Sequence, residues 1–485
     1  MSPTLISTSP LTDREIARYP LSSDEDVRRA VASARADASW WESLGHAERR
    51  RRLTAWRRAL ARRYDEIVDL IRAETGKTTA DARIETLLGL HHLTWAADNA
   101  QRVLRRRRVR SGLLMFNHRA SVEYRPLGVV GVIGPWNFPL FTPLGSIAYA
   151  LAAGNAVVFK PSEHTPVVGT FLSESLKPFT SGRNVLRVVH GGADVGAALC
   201  ASGVQKLAFT GSTATAKKIM AACAPTLTPV LIEAGGKDAM IVDADADLTA
   251  AARAAVWGGL ANAGQACIGI ERVYVHRAVF DSFVDAVRAE MPVRAGRDDD
   301  ATIGPITTDP QVEVIRTHLV EAVSRGARAI VGSADTGDGN VIQPTVLVDV
   351  PDDARVMTEE TFGPALTIRP VQSMDEAIAL VNGTGFGLGG AVFSRRHGTA
   401  VARRLQVGMV SVNAVQAFAA VASLPYGGVG ESGFGRIHGD DGLREFAAAN
   451  SLTVRGWLPS VEMMTFRRPV WVDRLLPAVV RRLFG

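Results

Sequence analysis

The feature that most limits what this chain can fold into is a rhythm that begins at Gly128. Five short runs rich in β-branched and apolar residues, VVGVI, AVVFK, VLRVVH, KLAFT and PVLIE, follow one another with helix-like segments between them. Strands that are apolar along their whole length are buried on both faces, and parallel neighbours need crossovers of about a dozen residues or more. The rhythm therefore predicts an α/β fold with a parallel sheet and crossover helices. A second strand-and-helix series, from near Ala239 to beyond Asn413, predicts another α/β domain. A chain of 485 residues exceeds what one core organises, so two or three domains are expected.

Upstream of the rhythm, Ser22 or Ser23 can cap a helix reaching Trp41, with Val27, Ala30, Val31, Ala34 and Ala38 on one face. Further helical patterns run to about residue 106. Residues 107–126 change character: two short extended segments flank Asn117 and His118, which predicts a protruding hairpin. An isolated hairpin is marginal in water, so a partner subunit is expected to cover it.

The three cysteines, Cys200, Cys223 and Cys267, are too few and too scattered for a disulfide framework or a thiolate metal cage. No metal site is expected, and a reducing, cytoplasmic setting fits. The opening residues lack the charged-then-apolar pattern of a secretory signal, so the mature chain is expected to start near Met1. No apolar run reaches the roughly 18 residues of a membrane span. The net charge of +6 comes with arginine clusters at 49–52 and 105–108. Without interleaved aromatics or a recognisable motif these read as solvated faces and subunit contacts, and no nucleic-acid partner is expected.

Four segments carry candidate chemistry. Cys267 lies in NAGQACIGIERVYV, where Ala263, Gly264 and Ala266 let the backbone turn closely beneath an incoming group. Taken alone it reads as a buried small hydrophobe. Glu233 ends an apolar strand in LIEAGGKD, where a carboxyl in apolar surroundings would have its pKa raised towards that of a useful base. Asn137, in GPWNFPL, is fixed by prolines on both sides and can offer its amide N–H to a developing oxyanion. Lys160 and Glu163 in KPSEHTP can bind ribose hydroxyls, and Gly211 and Ser212 precede a helix whose N-terminus suits a pyrophosphate. The GxGxxG dinucleotide fingerprint is absent.

In this order, and together with EETFGP at 359–364, NGTGFGLGG, VGMVSVN and PYGGVGESGFGR, these segments resemble the aldehyde dehydrogenase superfamily over nearly the whole chain. The resemblance implies a Rossmann-like cofactor domain (1–106 and 127–233), a catalytic domain (234–435) and oligomerisation elements (107–126 and 436–460). It implies Cys267 as nucleophile, Glu233 as general base and Asn137 as oxyanion donor. Lys160, Ser162 and Glu163 would hold the adenosine ribose, Gly211 and Ser212 the pyrophosphate. Glu360 would hold the nicotinamide ribose, with Pro135, Trp136, Gly235 and Phe362 in the same cleft.

The implied reaction is oxidation of an aldehyde to its acid through a thiohemiacetal and a thioester hydrolysed by a Glu233-activated water. Relatives that transfer the acyl group to coenzyme A generally lack that glutamate. Glu163 would repel a 2′-phosphate, which favours NAD while leaving NADP open. An aliphatic or lipophilic aldehyde is the expected substrate, with a succinic-semialdehyde type as the alternative. A catalytically silent scaffold of the same fold is the alternative from another class. A homodimer or homotetramer is expected. Two departures stand out, Ala234 after the base and Asp238 after GGK. Asp440 lies where some relatives place a second acidic relay, and it is left outside the catalytic set.

The tail, residues 461–485, ends in WVDRLLPAVVRRLFG, an amphipathic pattern interrupted by Pro477. Packing on this protein or a partner subunit is preferred to peripheral contact with a membrane interface, which stays open.

Overall fold

The rhythm from Gly128 becomes a six-stranded sheet in the order Gly433–Phe434, Val230–Glu233, Lys206–Thr210, Val129–Ile133, Ala156–Lys160, Leu186–Val188. The computed structural model describes residues 3–112, 115–291, 293–334, 337–457 and 465–485. Five strands of this sheet are parallel and the short Gly433–Phe434 strand is antiparallel. Every residue of Val129–Ile133 and Ala156–Lys160 is buried, as expected of a strand covered on both faces. The chain starts in the middle, moves outwards to Leu186–Val188, then returns to the other side of its first strand. That reversal opens a crevice at the carboxyl ends of Val129–Ile133 and Lys206–Thr210. Register brings Ile133 beside Lys160 and Phe209, and Thr210 beside Glu233, so the segments after these strands emerge on one edge.

A second sheet has seven strands, in the order Arg328–Val331, Thr345–Val348, Ala365–Val371, Ile270–His276, Asp238–Val242, Gly389–Phe393, Met409–Val412. Only Arg328–Val331 runs antiparallel. Alternation along the strands builds two cores. Met240, Val242, Val273 and Val275 pack with Ala251, Ala255 and Phe283, whereas Ala239, Ile241 and Tyr274 pack with Ile315, Leu319 and Ile378.

The first long helix is Asp24–Ser43, capped by Ser23, whose hydroxyl accepts from the Asp26 N–H at 3.2 Å. Val27, Val31, Ala34 and Ala38 are buried as expected, while Ala30 is only partly buried.

The chain divides into two compact units, residues 1–104 with 125–448, and residues 105–124 with 449–485. In the smaller, the expected hairpin is present: Arg107–Val109 pairs antiparallel with His118–Pro126, Arg107 opposite Val122. Ala447–Arg455 completes a three-stranded sheet, and a helix follows at Val470–Phe484. Residues 458–464, which include the first four of the tail, lie outside the described residues. Among the described residues, no helix is long and apolar enough to cross a membrane.

Candidate active site

The loop after Val129–Ile133 carries Asn137, which is buried. Its Nδ2 donates to the Gln265 carbonyl at 3.0 Å, and its own carbonyl accepts from Lys77 Nζ at 2.8 Å and Asn262 Nδ2 at 3.2 Å. Lys77 is paired with Glu85 at 2.6 Å, both side chains being almost wholly buried. The other oxygen of Glu85 accepts from the N–H groups of Leu140, at 2.8 Å, and Phe141, at 3.2 Å. One buried ion pair therefore grips the Asn137 loop at two points. Such a pair is tolerated because its remaining hydrogen-bonding capacity is used.

Cys267 follows three consecutive left-handed residues, Asn262 and Ala263 at φ 55° and Gly264 at φ 71°. Alanine rarely adopts this conformation, which costs on the order of 1–2 kcal/mol. At Gly264 a side chain is excluded outright, since a Cβ would lie 2.0 Å from the Gly363 carbonyl oxygen. The Cys267 Sγ is 3.4 Å from the Tyr426 hydroxyl. Burial pushes the Cys267 thiol up to about 12, partly offset by the Tyr426 hydrogen bond and reinforced by the charges of Glu233, Glu360 and Asp238. At neutral pH it rests as a thiol, and a base must take its proton. Cys200 and Cys223 are buried and hydrogen-bonded to each other, which marks them as structural.

Glu233 is buried at the end of its strand, and its Oε1 has no hydrogen-bond partner among the described residues. Burial pushes its carboxyl up to about 8, with Arg436 and a hydrogen bond to Thr210 pulling the other way. An orphaned carboxyl oxygen near a thiol is a place for water or a ligand. Asp238, the departure after GGK, is also buried. One oxygen accepts from the Gly389 N–H at 2.9 Å, and burial pushes its carboxyl up to about 7.

The double glycine after Glu233 makes room for Glu360. Its Oε1 accepts from the Gly236 N–H at 3.1 Å, and a Cβ on Gly235 would lie 2.1 Å from its Oε2. Burial pushes the Glu360 carboxyl up to about 8. Beneath it, Lys237 forms a buried ion pair with Glu271, whose oxygens accept from the N–H groups of Thr361, at 2.9 Å, and Phe362, at 3.0 Å. Phe362, at φ 51°, meets the edge of Trp136 with ring centres 5.5 Å apart. Pro135 and Trp136 are half-buried beside Asn137.

At the next strand end, Lys160 Nζ lies 3.4 Å from Glu163 Oε2 and donates to the Pro161 carbonyl at 3.1 Å. Ser162 is buried and accepts from the His164 N–H at 3.3 Å. Gly211 N–H donates to the Glu233 carbonyl at 3.1 Å, and Ser212 caps the helix Thr213–Cys223. These groups fit a dinucleotide: a carboxylate and ammonium for a ribose, a helix N-terminus for phosphate and a second carboxylate farther along the edge.

Sequence reasoning missed Lys77, Glu85, Gln265, Tyr426, Glu271 and Arg436. Tyr426 stood inside the quoted PYGGVG segment, and its neighbouring glycines were the available signal. Asp440 instead pairs with Arg102 at 2.6 Å.

A half-buried thiol that feels the charge of a buried carboxyl, with a fixed amide nearby and a sheet edge whose groups fit a dinucleotide, is an arrangement suited to an oxidoreductase. The chain belongs to the aldehyde dehydrogenase family, whose model matches residues 2–452. Membership makes it an NAD(P)-dependent enzyme that oxidises aldehydes. It is 36% identical to a 4,4'-diapolycopene aldehyde oxidase of a Methylomonas species, over 94% of this chain and 87% of that one. It is 35% identical to a Mycolicibacterium smegmatis protein provisionally named succinate-semialdehyde dehydrogenase [NADP(+)], over 98% and 93%. Among solved structures, PnpE in complex with nicotinamide adenine dinucleotide, an enzyme of Pseudomonas sp. WBC-3, superposes with a TM-score of 0.90 at 30% identity, covering 95% of this chain and 96% of that one.

Proposed function

We propose that Cys267 is the nucleophile, Glu233 the base and Asn137 the oxyanion donor of a hydrolytic aldehyde oxidation. The observation that carries this is the meeting of a thiol, an orphaned buried carboxyl oxygen and a rigidly held amide on one sheet edge.

Glu233, once ionised, takes the Cys267 proton, and the thiolate forms a bond to the aldehyde carbon while the carbonyl electrons move to oxygen. Asn137 Nδ2 spends one hydrogen on Gln265 and keeps the other for that oxygen. A bound nicotinamide would supply the hydride acceptor that oxidation of the thiohemiacetal to a thioester needs; Glu360 and the Lys160–Glu163 pair would hold its riboses, and the Ser212 helix its phosphates. Glu233 first passes the Cys267 proton to solvent and, ionised again, removes a proton from water as the water oxygen attacks the thioester carbon. The carbon–sulfur bond breaks, the acid leaves, and the departing thiolate regains a proton. In this reading the six-stranded sheet is the cofactor domain and the seven-stranded sheet the catalytic domain.

The substrate we favour has an apolar tail. Tyr426 stands beside the sulfur, the ring centre of Phe418 lies 6.5 Å from that of Tyr426, and Phe138 lies against Lys77. The cations of this neighbourhood are engaged, Lys77 by Glu85 and Asn137, and Arg436 by the carbonyls of Gly428 and Gly435. That disfavours a terminal carboxylate such as that of succinic semialdehyde. NAD is the preferred cofactor through Glu163. The three-stranded sheet of the smaller unit is assigned to subunit contact in a homodimer or homotetramer, and the three reduced cysteines suit a cytoplasmic setting.

The deciding experiment follows NADH formation with a series of aliphatic aldehydes and with succinic semialdehyde. Formation should vanish in Cys267→Ala, and kcat/KM should rise with chain length. A silent scaffold would give no NADH with any of them.

A further inference from the structure

The smaller unit is charged unlike the rest of the chain. Residues 105–124 and 449–485 hold twelve arginines against three carboxylates, a balance of +9, whereas the whole chain carries +6. The larger unit is therefore net negative. The helix Val470–Phe484, which lies beyond the residues matched by the family model, buries only Val472. Trp471, Leu475, Leu476, Val479, Val480 and Leu483 share one face and are 36–51% exposed. Arg474 and Arg481 occupy the opposite face, Arg482 borders the apolar one, and Arg467 and Arg468 precede the helix. Phe466 and Trp457 are fully exposed close by in sequence.

The sequence left two covers for this face, this protein or a partner subunit on the one hand and a membrane interface on the other, and along the helix only Val472 is buried. Helix against helix, a second copy would set a segment of five arginines and one carboxylate, residues 466–485, against its like, whereas the subunit contact proposed above uses the sheet. An apolar face bordered by arginines, with exposed Trp and Phe, instead matches the anionic headgroup region of a bilayer, where the side chains enter the acyl boundary and the guanidinium groups meet phosphates.

We propose that the C-terminal helix docks the enzyme on anionic lipid bilayers. Pro477 does not oppose this: it leaves only the Asp473 carbonyl without a helical donor, the helix continues through it, and Arg481 Nε donates to the Pro477 carbonyl at 3.2 Å. Docking would bring the active site to aldehydes that partition into lipid.

The test is co-sedimentation of the full chain with phosphatidylcholine vesicles and with mixed phosphatidylcholine–phosphatidylglycerol vesicles. Its companion is a Leu475→Glu/Val479→Glu/Leu483→Glu variant. The bound fraction should be about tenfold higher on the anionic vesicles, fall with added salt and be lost in the variant. Turnover of a short, water-soluble aldehyde should be unchanged in the variant, which shows that it is folded and separates this inference from the proposed chemistry. Equal recovery on the two vesicle types would overturn the proposal, as would binding that survives the three substitutions. A variant that changes the size of the assembly, in a protein that ignores vesicles, would assign the face to a second copy instead.

Discussion

Lys77 Nζ lies 2.8 Å from the carbonyl oxygen of Asn137, so the amide proposed to receive the oxyanion is held in place by a cation from 60 residues upstream. The same ammonium is neutralised by Glu85, which grips the loop again at Leu140 and Phe141. In Lys77→Met, Glu85 keeps its buried charge without its partner, which costs about 3–5 kcal/mol of stability. Displacing the donor by about 1 Å should also lower kcat on the order of a hundredfold. Thermal unfolding and turnover of Lys77→Met and of Lys77→Met/Glu85→Gln test both effects. The double variant should regain much of the stability while kcat stays low. Recovery of kcat along with stability would show that Lys77 serves only the fold.

How much of this was legible in the sequence follows from range. The strands at Val129–Ile133 and Ala156–Lys160, the Ser23-capped helix and the hairpin beginning at Arg107 are written in local periodicity and turn chemistry, and all are present. The Lys77–Asn137 contact spans 60 residues and the Cys267–Tyr426 contact 159, and no local pattern marks either partner. Gly235 and Gly236 announced a close approach to the backbone, but only the fold reveals Glu360 as the group that approaches. The tail's amphipathicity was legible, whereas the exposure of its apolar face was not, because helical period says which side chains share a face and nothing about what covers them.

Burial pushes the Glu233 carboxyl up to about 8, so at neutral pH most of it is protonated. A base must first be ionised, and the rate of acid release should climb as pH rises through about 8, then level off. Glu233→Gln removes that limb. It should release a first equivalent of NADH more slowly than the parent enzyme in a rapid mixing experiment, because Cys267 has lost the base proposed for its proton, and then stall with the acyl group on Cys267. Mass spectrometry of the quenched variant should find the acylated cysteine. A free thiol after the burst would mean that another group activates the water.

Gly235→Ala places a methyl group where Glu360 now sits, 2.1 Å from its Oε2, and the carboxyl must move. Losing a hydrogen bond to a charged group costs about 1.5–3 kcal/mol, roughly a ten- to hundredfold rise in the KM for NAD. Asp238 and Gly389 are untouched, so stability should change little. Cofactor titration by fluorescence quenching measures the shift. An unchanged affinity would remove Glu360 from the cofactor site.

Glu163 lies 3.4 Å from Lys160 Nζ, and its side chain is 44% exposed, facing the place where the adenosine ribose is proposed to bind. As a carboxylate it accepts from ribose hydroxyls and repels a 2′-phosphate, so it taxes NADP more than NAD. In Glu163→Gln the repulsion disappears and Lys160 loses its counter-charge, leaving an ammonium to attract the phosphate. The ratio of kcat/KM for NADP to that for NAD should therefore rise about tenfold, at low salt more than at high, because part of the effect is a screened attraction. Measuring the ratio at two ionic strengths separates the two contributions. If both cofactors weaken equally, Glu163 acts by holding Lys160 in position, and discrimination lies elsewhere in the cleft.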